Sequence, residues 1–165
     1  MFKIKLSISL LISFIFVSCA KDNLIFDNRS YSIGYVSGEY NGLVLKNLLT
    51  NNLSNFNIYN KDSNYKIEPN ISHSSELFIT NIDNTSDRIR VDSALTVNVI
   101  DERSKCVIHN FEEKISQFYL FADSDRYISN NIAEKKIREE NTEALIKNFI
   151  NELTETETKC KNTYE

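Results

Sequence analysis

The sharpest pattern in the chain is the alternation from Arg88 to Ile100. Ile89, Val91, Leu95, Val97 and Val99 fall on one side, Arg88, Arg90, Asp92, Thr96 and Asn98 on the other, and only Ser93 breaks the apolar row. A period of two describes a strand with one face in a core and the other facing solvent or a partner. Polar five-residue stretches bound it, Asp83–Asp87 before and Asp101–Lys105 after, and both suit hairpin tips. Tyr65–Ile82 is therefore expected to lead into this strand and Cys106–Ala122 to return beside it, ending in Phe118-Tyr119-Leu120-Phe121. Pro69 cannot donate to a ladder, so it marks an edge or a bend. Ser30–Ser37 also alternates, with Tyr31, Ile33 and Tyr35 together, and Phe56–Tyr59 suggests one more brief strand.

Two segments carry the helical period instead. Leu45, Leu48, Leu49 and Leu53 form one stripe of Leu43–Leu53, with Asn41 as a candidate N-cap. From Ser129 to about Leu153 the apolar positions are Ile132, Ala133, Ile137, Ala144, Leu145, Phe149, Ile150 and Leu153, and the rest is mostly charged or amide. The order strand, helix, long strands, helix predicts an α+β fold: two helices packed on one face of a roughly four-stranded, mainly antiparallel sheet. Thr154–Glu165 has almost no apolar content and is expected to be a disordered polar tail.

The N-terminus has a different texture. Lys3 and Lys5 precede an apolar and hydroxyl run, Leu6–Val17, followed at once by Ser18 and Cys19. A basic start and a short apolar core make a secretory signal, and the run is shorter than the roughly 20 residues of a membrane span. Phe16-Val17-Ser18-Cys19 resembles a bacterial lipobox, with Phe in place of the usual Leu. The expectation is a signal peptide at 1–18, lipid attachment at Cys19, a tether at 19–29, and a single domain at 30–153. An uncleaved anchor is the alternative. Ala20 follows the cysteine where an Asp often retains lipoproteins at the inner membrane, which favours the outer membrane. Lasting attachment takes two or more acyl chains.

Removing residues 1–18 leaves 147 residues (165 − 18), the size of one domain, and takes away two lysines and no acid, so the formal charge moves from −4 to −6. That balance argues against nucleic acid as a partner. Cys106 reads as a small strand residue and Cys160 as free or incidental, since their spacing matches neither a zinc site nor a disulfide framework. His73 and His109 lack a matching acid or ligand spacing, and three glycines build no phosphate loop. No catalytic residue, metal site or cofactor is expected, and the chain does not read as an enzyme. Arg88 and Arg90 are either a solvated face paired with Asp87 and Asp92, or a guanidinium pair for a phosphate.

From SYSIGYVS through NGLVLKNLLTNNL and DRIRVDSALTVNVIDERSKCVIHNFEEKISQFYLF to Tyr127 and the helix ISNNIAEKKIREENTEALIKNFINEL, behind the Cys19 signal, the chain resembles the LPS-assembly lipoprotein LptE family. The resemblance implies two helices on a four-stranded sheet. It also implies an outer-membrane lipoprotein, facing the periplasm or a barrel lumen, that plugs the β-barrel lipopolysaccharide translocon (an LptD-like partner), assists its assembly and binds lipopolysaccharide. Residues matching the family's lipid-contacting positions are Arg88 or Arg90 and Lys135 or Lys136. The alternative is another periplasm-facing envelope lipoprotein, such as an auxiliary binding module of an ABC-type transport system.

Overall fold

A computed structural model describes residues 29–38, 40–79, 87–121, 127–155 and 160. The signal, Cys19, most of the tether and the loop residues 80–86 lie outside the described residues. Six elements follow in order: β1 (Tyr31–Ile33), α1 (Tyr40–Asn55), β2 (Tyr65–Ile79), β3 (Asp87–Asp101), β4 (Cys106–Leu120) and α2 (Tyr127–Glu155). The strands form one sheet in the order β1-β2-β3-β4. β2, β3 and β4 are antiparallel, whereas β1 runs parallel to β2, so the sheet is mixed. The two helices lie on one face, α1 over β1 and β2, α2 over β3 and β4.

The alternation in β3 places Val91, Ser93, Leu95, Val97 and Val99 under the helices, all without exposed surface. Leu95, Val97 and Val99 meet Leu45, Leu49 and Leu53 of α1 and Leu145, Ile146, Phe149, Ile150 and Leu153 of α2 in one core. Area removed from water at about 25 cal/mol per Å² makes this layer the main source of stability. A core of that kind needs no long β1, and the first strand is correspondingly short. It stops at Ile33, and Tyr35, expected in the same apolar row, is 83% exposed. Phe56–Tyr59 supplies a turn and a single bridge from Tyr59 to Tyr31 rather than a strand.

Pro69 does not interrupt β2, which pairs with β3 without a break from Tyr65 to Ile79. The Ile67 carbonyl accepts from Gly34, so the odd residues of β2 turn their backbone groups toward the β1 side. At Pro69 the first strand has already ended, and the missing N–H falls on an open edge where it costs no ladder bond. In β4 the register with β3 shifts between Val99 and Ile100. This bulge turns both Ile108 and His109 inward, leaving His109 buried beside Phe149 and 3.5 Å from Glu152.

The helices start and end beyond the expected bounds. Gly38 has φ +94° and α1 begins at Tyr40, so Asn41 lies inside the helix rather than capping it. A Cβ at Gly42 would meet the Ser37 carbonyl oxygen at 2.5 Å, so only glycine lets the preceding loop cross the first turn so closely. The second helix runs on to Glu155. Cys160, expected to be free in a disordered tail, is bonded to Cys106 with Cα atoms 5.8 Å apart. The bond pins the chain beyond α2 to the start of β4, and residues 156–159 and 161–165 lie outside the described residues.

Candidate functional site

Two regions gather the residues singled out in the sequence. The first is the helix-free face of the sheet at the β2–β3 hairpin end. Even-numbered residues of β2 and β3 point there, so Arg88 and Arg90 share this face with Phe78, Phe118 and Leu120 through cross-strand register. Phe78 and Phe118 meet edge to face with ring centroids 5.5 Å apart, and Leu120 and Phe121 are also largely exposed. Arg90 forms ion pairs with Glu76 and with Asp92, the latter at 3.5 Å. Asp92 also accepts from Ser116 and from Lys114 at 3.1 Å. The Ser116 hydroxyl, followed by Lys114 and Arg90, holds the Asp92 carboxyl below its ordinary value. Arg90 is thus committed to a carboxylate network in which Glu76 stands where the sequence suggested Asp87. Arg88, opposite Phe78 in register, is exposed. An aromatic and aliphatic surface flanked by guanidinium groups can accept an apolar chain and an anion together.

The second region lies on the other side of the sheet. Tyr40, Asn41 and Val44 of α1, His73 of β2, and Asn131, Glu134, Lys135, Arg138, Glu139 and Thr142 of α2 line a cleft of about 330 Å³. The Lys135 ammonium sits 4.8 Å from the Tyr40 ring centre, and the Tyr40 hydroxyl donates to Glu139 at 2.9 Å. Beneath, Arg138 pairs with Glu134, which accepts from Ser75 at 2.6 Å. Ser93 Oγ meets His73 Nδ1 at 2.8 Å and accepts from Asn141 at 3.0 Å. The first half of α2 therefore rests on a polar layer, and the second half on the apolar core. The serine–histidine contact has no route to nucleophilic chemistry, because Ser93 has no exposed surface.

The structure separates the four basic residues. Arg88 and Arg90 face away from the helices, Lys135 lines the cleft on the opposite side, and Lys136 is exposed on α2 beside Glu140 at 3.7 Å. They do not form one cationic patch. The sequence reading missed the Ser93–His73–Asn141 layer. The one signal for it was Ser93 itself, the polar residue in an apolar row, matched by Asn141 and Thr142 in the helix that covers it.

Burial, followed by the nearby Arg138, pushes His73 below its ordinary value of 6.5. As pH falls the unfolded chain takes up this proton first. The contribution to stability is complete above about 6.5 and is lost as pH drops toward the lower folded value. His73→Gln is expected to flatten the fall in urea midpoint between about pH 7.5 and 5.5 relative to the wild type. An unchanged slope would assign the acid sensitivity to other groups.

Among the described residues no cluster of His, Cys, Asp or Glu could hold a metal ion, and no helix is long and apolar enough to cross a membrane. The fold defines a class: a two-layer α+β sandwich with one bare sheet face. No protein-family model matches the sequence, and no curated protein matches it. Three solved structures share the fold. A candidate lipoprotein from Caulobacter crescentus CB15 is 14% identical with a TM-score of 0.54, covering 75% of this chain and 87% of its own. A minor lipoprotein from Acinetobacter baumannii is 10% identical with a TM-score of 0.55, covering 76% and 92%. The uncharacterised lipoprotein B from Nitrosomonas europaea is 9% identical with a TM-score of 0.56, covering 76% and 82%. At these identities the likeness is one of fold.

Proposed function

We propose that this chain is a non-enzymatic, lipid-anchored protein of the Gram-negative outer membrane that plugs the β-barrel lipopolysaccharide translocon and assists its assembly. The observation that carries the reading is the pairing of a signal ending at Cys19 with a fold shared by three bacterial lipoproteins. The exterior supports it: the helix-free face is mostly polar, which suits the polar lumen of a large barrel. The patch around Arg88, Phe78, Phe118 and Leu120 has the chemistry for lipid A, acyl chain beside phosphate.

The test uses the full-length, lipidated protein in its own envelope. It is expected to copurify with one large β-barrel protein, whose folded amount falls when the chain is depleted. Arg88→Glu with Arg90→Glu is expected to weaken capture of lipopolysaccharide about tenfold while leaving barrel copurification intact. Normal barrel levels after depletion would overturn the translocon role. Unchanged capture would return both arginines to a solvated face. The cleft beside Lys135 favours a second reading, an auxiliary binding module of an ABC-type transport system, in which case a transport ATPase complex replaces the barrel in the copurified material.

A further inference from the structure

Among the described residues, the outer edge of β2 has no strand beside it over most of its length. β1 covers Tyr65–Ile67 and then stops, and Ser37 reaches only as far as the Asn70 side chain. From Ile71 onward the odd residues Ile71, His73, Ser75 and Leu77 aim both backbone groups away from β3, and among the described residues no backbone group pairs with them there. Nine residues from Ile71 to Ile79 thus present about 30 Å of ladder that no other described residue pairs with.

Native sheets guard such edges with lysine, proline, bulges or a covering element. The edge strand β4 follows this rule, with Glu112, Glu113 and Lys114 at its middle and a bulge near its start. Between Asn70 and Ile79 there is no lysine, arginine, proline or bulge, and Glu76 is the one charge, already paired with Arg90. Alongside, the cleft leaves room beside the edge, since His73 lines it together with Tyr40 and Lys135. Ile128 and Ile132 lie at helical spacing on the same outward stripe of α2 as Lys135, and they are 74% and 63% exposed; Leu77 on the strand is 54% exposed.

We infer that the Ile71–Ile79 edge of β2 is a strand-addition site that receives an extended segment of a partner polypeptide. The unpaired groups select the occupant. Alternating N–H and C=O groups at ladder spacing are matched in full only by another backbone in extended form. Side chains of the added strand alternate. Those on the helix side are apolar and cover Leu77, Ile128 and Ile132, and those on the bare side are polar and lie beside Ser72, Ser74 and Glu76. Backbone pairing gives the affinity and the alternation gives the selectivity. The inference does not depend on the translocon reading, because any partner offering such a segment satisfies it.

A capped octapeptide of alternating Thr and Ile or Val, with a Lys at each end, is the probe. With the full-length protein it is expected to bind saturably and to slow amide exchange at His73, Ser75 and Leu77. Ser75→Pro removes one edge donor in the same alternation as Pro69, which β2 already tolerates, together with the hydroxyl bond to Glu134, and should weaken binding at least tenfold, whereas Ser75→Ala, which loses that hydroxyl and keeps the N–H, should bind as the wild type does. Leu77→Lys, and a peptide N-methylated on its pairing edge, should weaken binding comparably, while Glu112→Lys on β4 should leave it unaltered. If Ser75→Pro unfolds the domain, the N-methylated peptide on the wild type decides. Equal binding of both peptides, protection on β4 instead of β2, no protection at millimolar peptide, or self-pairing of the domain through this edge would each overturn the inference.

Discussion

Replacing Cys160 with Ser is expected to lower the unfolding free energy by about 4 kcal/mol. The cysteines are separated by 54 residues, and the chain-entropy relation for closing such a loop gives that magnitude at 25 °C. The ring encloses β4 and all of α2, so an open chain regains freedom in half of the sandwich. The melting temperature should fall by on the order of 10 °C. Urea unfolding with and without a reductant measures the effect: wild type with reductant should match the serine variant, and the variant should ignore the reductant. A difference below about 1 kcal/mol would mean that the unfolded chain is already held together without the bond. An exported protein can keep such a bond, since the envelope is oxidising.

The second large effect is expected at Phe149. It has no exposed surface, meets Phe111 edge to face at 5.5 Å and lies 6.3 Å from the His109 ring, at the point where α2 crosses β4. Phe149→Ala removes this contact and leaves a cavity that the sheet beneath cannot close, because the bulge fixes Ile108 and His109 in place. The expected cost is about 3–5 kcal/mol, read as a lower urea midpoint with unchanged slope. Phe149→Leu, keeping most of the volume, should cost less than half as much. A loss under about 1 kcal/mol in the alanine variant would show that the helix repacks freely.

How much of this was legible beforehand depended on whether a residue's neighbours shared its period. β3 lies between two long strands and under α2, so its alternation is broken only at Ser93 and both its bounds and its buried face could be read. β1 was overread, because Tyr35 continues the alternation after the pairing has ended. The first half of α2 was misread in the opposite sense. Ile132 fits an apolar stripe and is exposed, while Asn141 and Thr142 are buried against a polar layer that no hydrophobic pattern reveals. Ile146 was passed over for the same reason, since the stripe was drawn without knowing which turn faces the sheet. The Cys106–Cys160 bond was invisible because the tail's position depends on where α2 ends. Arg88 and Arg90 could be placed on a common face from alternation alone. That Lys135 lies across the sheet from them required the topology.

The parallel start of β1 also fixes the end of the sheet at which the described chain begins. Arg29 stacks over Tyr65, at the end of the sheet that holds the Asp101–Lys105 turn and the Cys106–Cys160 bond. The described chain therefore begins at this end, and the Phe78–Phe118 pair lies near the other, about 45 Å away along strands of 15 residues. The ten residues from Cys19 to Asn28 can stretch at most about 35 Å. Were Cys19 lipidated as proposed, a tether of that length would keep the disulfide end nearer the bilayer than the arginine-bearing tip.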